Sequence, residues 1–299
     1  IYMKNIIIVV AIIVLAYVGY QLIGVPSITT LPKGIEAALQ GAALDMTDLG
    51  GGELVLKDGT AEFSTGADTP NGFVRLAGKN TIVENGEVAD VFSIVEANGG
   101  GTGTFIYLVH FAYTAVSGTA IEQQKIMLGD RIAVDSVTTE ITSPSTYDVL
   151  VALKDREGTE PMTAVPQVPM VLQFTRGTNG LELKTLTYGT ANDYDMVLVS
   201  PLPGTTVPVG EFQVQGAARG MWYFEASFPT EIQTFSGEVI AQSPAEAQGE
   251  WMTDELVPFI AKLLPPSTSH GPHLLVLRKD NPSGEPQFDK SHSFIIELP

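Results

Sequence analysis

No cysteine occurs among the 299 residues. Its absence excludes disulfides, thiolate zinc sites and cysteine nucleophiles in one step. Basic residues are also scarce. Sixteen Lys and Arg stand against 34 Asp and Glu, giving a formal net charge of −18. Such a surface repels phosphate backbones, so nucleic acid is excluded as a partner. No G-x-S-x-G or H-E-x-x-H pattern is present, and with them go the usual local signatures of serine hydrolases and zinc proteases. The glycine-rich "ANGGGTGT" lacks the Lys-Ser/Thr of a phosphate loop and precedes a strand pattern rather than a helix. It reads as a hairpin loop.

What is present begins with "IYMKNIIIVVAIIVLAYVGYQLIGVP", whose one charge is Lys4. From Ile6 to Ile23 the chain is almost wholly apolar, through Ile7, Ile8, Val9, Val10, Ile12, Ile13, Val14, Leu15, Val18 and Leu22. As a helix that stretch measures roughly 27 Å, close to the roughly 30 Å of a bilayer's hydrocarbon core. It has no polar face, which excludes a surface amphipathic helix. Tyr17 and Tyr20 sit where interfacial anchors would. A cleaved secretory signal is the rival, but "GYQLIGVPS" is a poor cleavage site. The segment is therefore expected to be an apolar transmembrane or assembly helix over 1–25, sheltered by a lipid bilayer or by copies of the same chain.

A linker and short helix follow over 26–51. "IEAALQGAALDM" has helix formers, with Ile35 and Leu39 on one face, and predicts a helix from about Pro32 to Met46. After Gly52 the period changes from helical to alternating. The chain is rich in turn formers, with 30 Gly and 19 Pro. Asp58-Gly59 and Asn85-Gly86 mark turns between strands. "TFIYLVHFAYTAV" alternates two apolar faces, one with Tyr107, Val109 and Phe111, the other with Ile106, Leu108 and His110. A strand apolar on both faces belongs in the middle of a sheet. No two strands are separated by a long helical pattern, so pairing is expected to be antiparallel. A β domain is expected over 52–195. A second set of strands, with turn signals 8–15 residues apart in "TANDYDMVLVSPLPG" and onward, fits a β-sandwich over 196–299.

The C-terminal block carries "SPLPGTTVPVGEFQVQGAARGMWYFEASF", then "SGEVIAQS", then "VPF". In the order and spacing of Ser200-Pro201, Gly204, Val207, Gly216-Ala217, Phe224-Glu225, Gly237 and Val239 it resembles the immunoglobulin-like domain associated with bacterial spore germination proteins. That resemblance implies an extracytoplasmic β-sandwich without catalytic residues. The middle block, with "GGTGTFIY", "LGDRIA" and "GTEPMT", resembles an uncharacterised domain of candidate phyla radiation bacteria. The overall layout, an apolar segment before β domains, is similar to type IV and archaeal pilins. It departs at Asn5, where bacterial pilins usually carry Glu.

Candidate chemistry is thin. Asp130-Arg131 in "LGDRIA" reads as an intramolecular ion pair that orients a loop, and "KDREGTE" as a solvated turn. His110 reads as a satisfied histidine in an apolar strand. His270 and His273 are two close imidazoles with no third ligand nearby, and Asp193 with Asp195 supplies only two or three oxygens in sequence for a calcium site at the domain junction, which stays the lesser reading there. Tyr147, Tyr188, Trp222 and Trp251 read as packing residues, with a partner or glycan contact patch as the alternative. Together these readings predict a mainly β protein: an N-terminal apolar helix followed by two antiparallel β domains, the second an immunoglobulin-like sandwich. The expected function is non-enzymatic, with no cofactor and no metal. The chain would be a cell-surface or envelope protein presenting β domains to a protein or glycan ligand, or alternatively a subunit of a pilus-like extracellular filament. Its expected location is extracytoplasmic, membrane-anchored or on the cell surface.

Overall fold

Alternating apolar runs and Gly-containing turns give eighteen strands among the described residues. The computed structural model describes residues 31–66, 69–143, 146–156, 163–177, 180–190 and 193–299. The first sheet comprises β1 (Ala43–Asp45), β2 (Glu53–Val55), β3 (Thr60–Phe63), β4 (Gly72–Asn85), β5 (Val88–Asn98), β6 (Phe105–Thr114) and β7 (Thr119–Asp130), in the order β2-β1-β7-β6-β5-β4-β3. Asp58 and Gly59 close the turn between Lys57 and Thr60 with φ values of 52° and 78°. Two consecutive left-handed residues match the right-handed twist of the flanking strands, which is why an Asp-Gly pair stands there. Pairing is antiparallel except where Ala43 of β1 meets Ile121 of β7 in parallel.

The double-faced strand β6 is the middle member of its sheet, as its sequence predicts. Ile106 and Leu108 enter one hydrophobic cluster, while Tyr107, Val109 and Phe111 enter another. The second cluster is covered by the helix α1 (Lys33–Gln40) and by β1, with Ile35, Leu39, Leu44 and Met46 buried against the sheet. Ile35 and Leu39 lie four residues apart and so share a helix face. The helix is shorter than the expected 32–46. It stops at Gly41, and Ala43–Asp45 pairs as a strand with β2 instead.

The second sheet comprises β8 (Ala133–Ser143), β9 (Thr146–Asp155), β10 (Val168–Gly177), β11 (Gly180–Thr190), β12 (Asp193–Ser200), β13 (Phe212–Arg219), β14 (Ser227–Gln233), β15 (Val239–Ala247), β16 (Leu256–Leu263), β17 (Gly271–Arg278) and β18 (Ser291–Leu298). Its order is β18-β17-β14-β15-β16-β13-β12-β11-β10-β9-β8. The sheet runs through residue 195 without a break, because β12 pairs with both β11 and β13. β15 and β16 share only two rungs, Glu246 with Ile260 and Ala247 with Phe259. There the sheet turns a corner, and the β14, β17 and β18 layer lies over β12, β13 and β16. Phe228 of one layer meets Phe259 of the other edge-to-face, at 5.0 Å between ring centroids. A parallel bridge from Thr206 to Glu297 brings the chain after β12 beside β18. One hydrophobic cluster spans this sandwich, the β8–β11 strands and the facing side of the first sheet.

The expectation of an N-terminal apolar helix ahead of the two β domains is corrected. The only α-helix among the described residues is α1, with eight residues, and no helix among them is long and apolar enough to cross a membrane. Eight residues rise about 12 Å, well short of a roughly 30 Å hydrocarbon core. Residues 1–25, including the apolar positions from Ile6 to Ile23, lie outside the described residues.

Candidate functional site

A convergence of polar side chains in the core forms where β12 meets β18. Asp195 is the third residue of β12 and is buried. Its Oδ1 lies 3.2 Å from Nε2 of His292, 97 residues away in sequence, and the Lys290 ammonium pairs with the same carboxylate. His292 is placed by the alternation of β18, in which His292, Phe294, Ile296 and Leu298 all turn inward. Its ring stacks on Tyr188 at 3.9 Å and 9°, and on Trp222 at 5.2 Å and 23°. A hollow of about 350 Å³ opens beside the group, lined by Gln167, Val168, Pro169, Gly189, Asp195, Lys290 and His292.

Burial pushes the Asp195 carboxyl up, but the hydrogen bonds and charges of His292 and Lys290 outweigh it. They hold the group below the usual carboxylate range. Burial pushes the Tyr188 phenol well above its ordinary value, with Asp155 and Asp195 acting in the same direction. Its hydroxyl has no hydrogen-bond partner among the described residues. A His–Asp pair is half of a general-base dyad. Acyl transfer also requires a nucleophile within hydrogen-bond reach of the imidazole. Among the described residues, no hydroxyl is bonded to His292. The ring is fixed by aromatic faces and one carboxylate, so the arrangement serves as a clamp between β12 and β18.

A second aspartate does similar work between the two sheets. Asp90 of β5 accepts from the Tyr147 hydroxyl of β9 at 2.7 Å, and its other oxygen lies 2.6 Å from Nε2 of His110. Phe92 stacks on His110 at 4.8 Å. Burial raises the Asp90 carboxyl, while His110 and Tyr147 hold it below its ordinary value. His110 is thus the satisfied core histidine that its strand predicts.

The remaining candidates separate. Asp130 and Arg131 form the expected ion pair at 3.0 Å, and Asp130 also accepts from the Thr104 amide at 2.8 Å. Arg156 of "KDREGTE" is not a solvated turn residue. Its side chain is buried and donates to the Arg131 carbonyl at 2.7 Å. Residues 157–160 of that stretch lie outside the described residues. His270 bonds the Pro299 carbonyl, and His273 lies 3.1 Å from the Gly271 carbonyl, so the two rings serve separate backbone groups. The side chain of Asp193 lies outside the described residues. No group of three or more His, Asp or Glu able to hold a metal occurs among the described residues. In the glycine-rich loop, Asn98 folds the hairpin on itself, donating to Gly101 and Gly103 and accepting from the Gly100 amide. Tyr147, Tyr188 and Trp222 are core residues, and Trp251 packs partly buried against the same cluster.

Residues 196–285 match the immunoglobulin-like domain of bacterial spore germination. The match begins within β12 and extends past β17. It supports the C-terminal expectation and the sandwich described above. No curated protein matches the chain. Sequence reasoning missed His292, Lys290 and Asp90. For His292 a signal existed in "SHSFIIEL", whose alternation sets the histidine on the same face as Phe294 and Ile296.

Proposed function

We propose that this is a non-enzymatic cell-surface or envelope protein that presents its β domains for binding or adhesion. The observation that carries the reading is the immunoglobulin-like match over residues 196–285. The two buried histidines fit the non-enzymatic part of that reading. His110 and His292 are buried and bonded to aspartates that tie strands together. The apolar run from Ile6 to Ile23 would hold the chain to a lipid bilayer, leaving the acidic β domains on the extracytoplasmic side. Cell fractionation tests this. The chain is expected in the envelope fraction and released by detergent. Recovery in the cytosolic fraction without detergent overturns the reading.

The same apolar run supports a second reading, in which copies of the chain shelter it in a pilus-like filament. Fibres recovered by shearing cells in detergent-free buffer would favour that reading over lipid anchorage.

A further inference from the structure

Three loops meet at the end of the sandwich that carries the Asp195 clamp. Residues 220–226 connect β13 to β14, residues 248–255 connect β15 to β16, and residues 279–290 connect β17 to β18. Backbone hydrogen bonds join them. The Gly220 amide donates to the Glu255 carbonyl at 3.1 Å, the Asp280 amide to Trp222 at 3.0 Å, and the Ala247 amide to Ala226 at 2.8 Å. The contact of the first two loops is so close that a Cβ at Gly220 would run into the Trp251 and Thr253 carbonyls. The loops are therefore held as one surface.

That surface exposes large apolar side chains from every loop. Met221 is 64% exposed and Phe224 44%, Met252 is 74% exposed, and Phe288 is 50% exposed. Scattered single apolar residues on a surface need no explanation, but here four stand on three loops that are bonded to one another through the first. Methionine and phenylalanine are well suited to it. They supply area, and methionine adapts its shape to a partner.

Charge selects the partner. The first loop adds Glu225, the second Glu250, Asp254 and Glu255, and the third Asp280, Glu285 and Asp289. Against these stand Lys279 and Lys290, and Lys290 is already paired with Asp195. Loops that expose both apolar side chains and an excess of carboxylates complement a segment that is apolar on one face and basic on the other. We infer that this loop end docks a basic amphipathic protein segment, with Met221, Phe224, Met252 and Phe288 as its apolar anchors. The inference rests on the reading of the chain as a binding module and names the class of partner.

The test uses the full chain immobilised on a sensor surface. The probe is an 18-residue peptide with Leu and Trp on one helical face and Lys on the other. Two control peptides replace every Lys by Glu, or every Leu and Trp by Ser. The basic amphipathic peptide is expected to bind, with affinity falling at least tenfold between 50 and 300 mM salt on the order expected for screened charges. Met221→Ser with Met252→Ser is expected to weaken binding at least tenfold, and Glu250→Lys with Asp254→Lys to do likewise. These exposed positions leave the core intact, which unchanged thermal melting would verify. Equal binding of either control peptide, binding unaffected by both double variants, or no binding overturns the inference. Selective capture of neutral lipid vesicles, or self-association lost in the Met221 and Met252 variant, overturns it in favour of a membrane or a second copy. None of these outcomes bears on where the chain resides in the cell, so the envelope reading stands or falls separately.

Discussion

Asp195 ties β12 to β18 by accepting from His292, with Lys290 as its second partner, while Asp90 accepts from His110 on the neighbouring strand β6 and reaches the second sheet through Tyr147. Both carboxyls are held below their ordinary value in the folded chain. A group with a depressed folded pKa stabilises the fold fully above its unfolded value, about 3.9 for Asp. That contribution is lost as pH falls through 3.9 toward the folded value, because the unfolded chain takes up the proton first. The melting temperature is therefore expected to drop steeply between about pH 5 and pH 2. Asp195→Asn should destabilise the chain at pH 7 by about 2 kcal/mol, below the roughly 3–5 kcal/mol of a fully buried pair because Lys290 reaches solvent. It should also flatten the acid-side decline. An identical pH profile in wild type and variant would contradict this account of Asp195. Neither clamp was legible as a unit. The strand pattern marks His110 as a satisfied core residue, but its partner and the 97-residue link between Asp195 and His292 exist only in the folded pairing. Local pattern gives the face a residue occupies and says nothing of which strand lies opposite.

Elements were legible where both faces of a segment carry the same message. β6 is apolar on alternate residues in both directions, and it occupies the middle of its sheet between α1 and the second sheet. The Asp58-Gly59 turn was legible because only a few residue types adopt two successive positive φ values. The end of α1 was not, because Ala42–Met46 has helix propensity and an apolar pattern yet gains more by pairing with β2 and packing in the core. Gly216 in β13 shows why a small residue stands at this layer contact. A Cβ there would lie 2.8 Å from the Phe259 ring and closer still to the Val197 carbonyl. Gly216→Ala is expected to cost about 1–3 kcal/mol through forced displacement of β12 or Phe259. Urea unfolding measures it, and an unchanged midpoint would show that the layers are looser than described.

At the scale of the molecule, one sheet is shared between two tasks. β8–β11 cover the first sheet, and β12–β18 fold over to make the immunoglobulin-like sandwich. The turn between β14 and β15, at the far end of β14 from the three loops, is exposed. Overall composition foretold this mainly β architecture, because Gly and Pro punctuate strands and cysteine-free domains must be held by their cores. A single continuous second sheet was not foretold, because the Asp-rich turn near residue 195 looks like a boundary in sequence while β12 pairs on both sides of it. The proposal that these β layers are displayed outside the cell is tested most directly by an epitope tag inserted at the exposed Ser236-Gly237 turn between β14 and β15. Antibody staining of intact cells is the measurement. Display predicts staining of intact cells equal to that after permeabilisation, and staining that requires permeabilisation would contradict it.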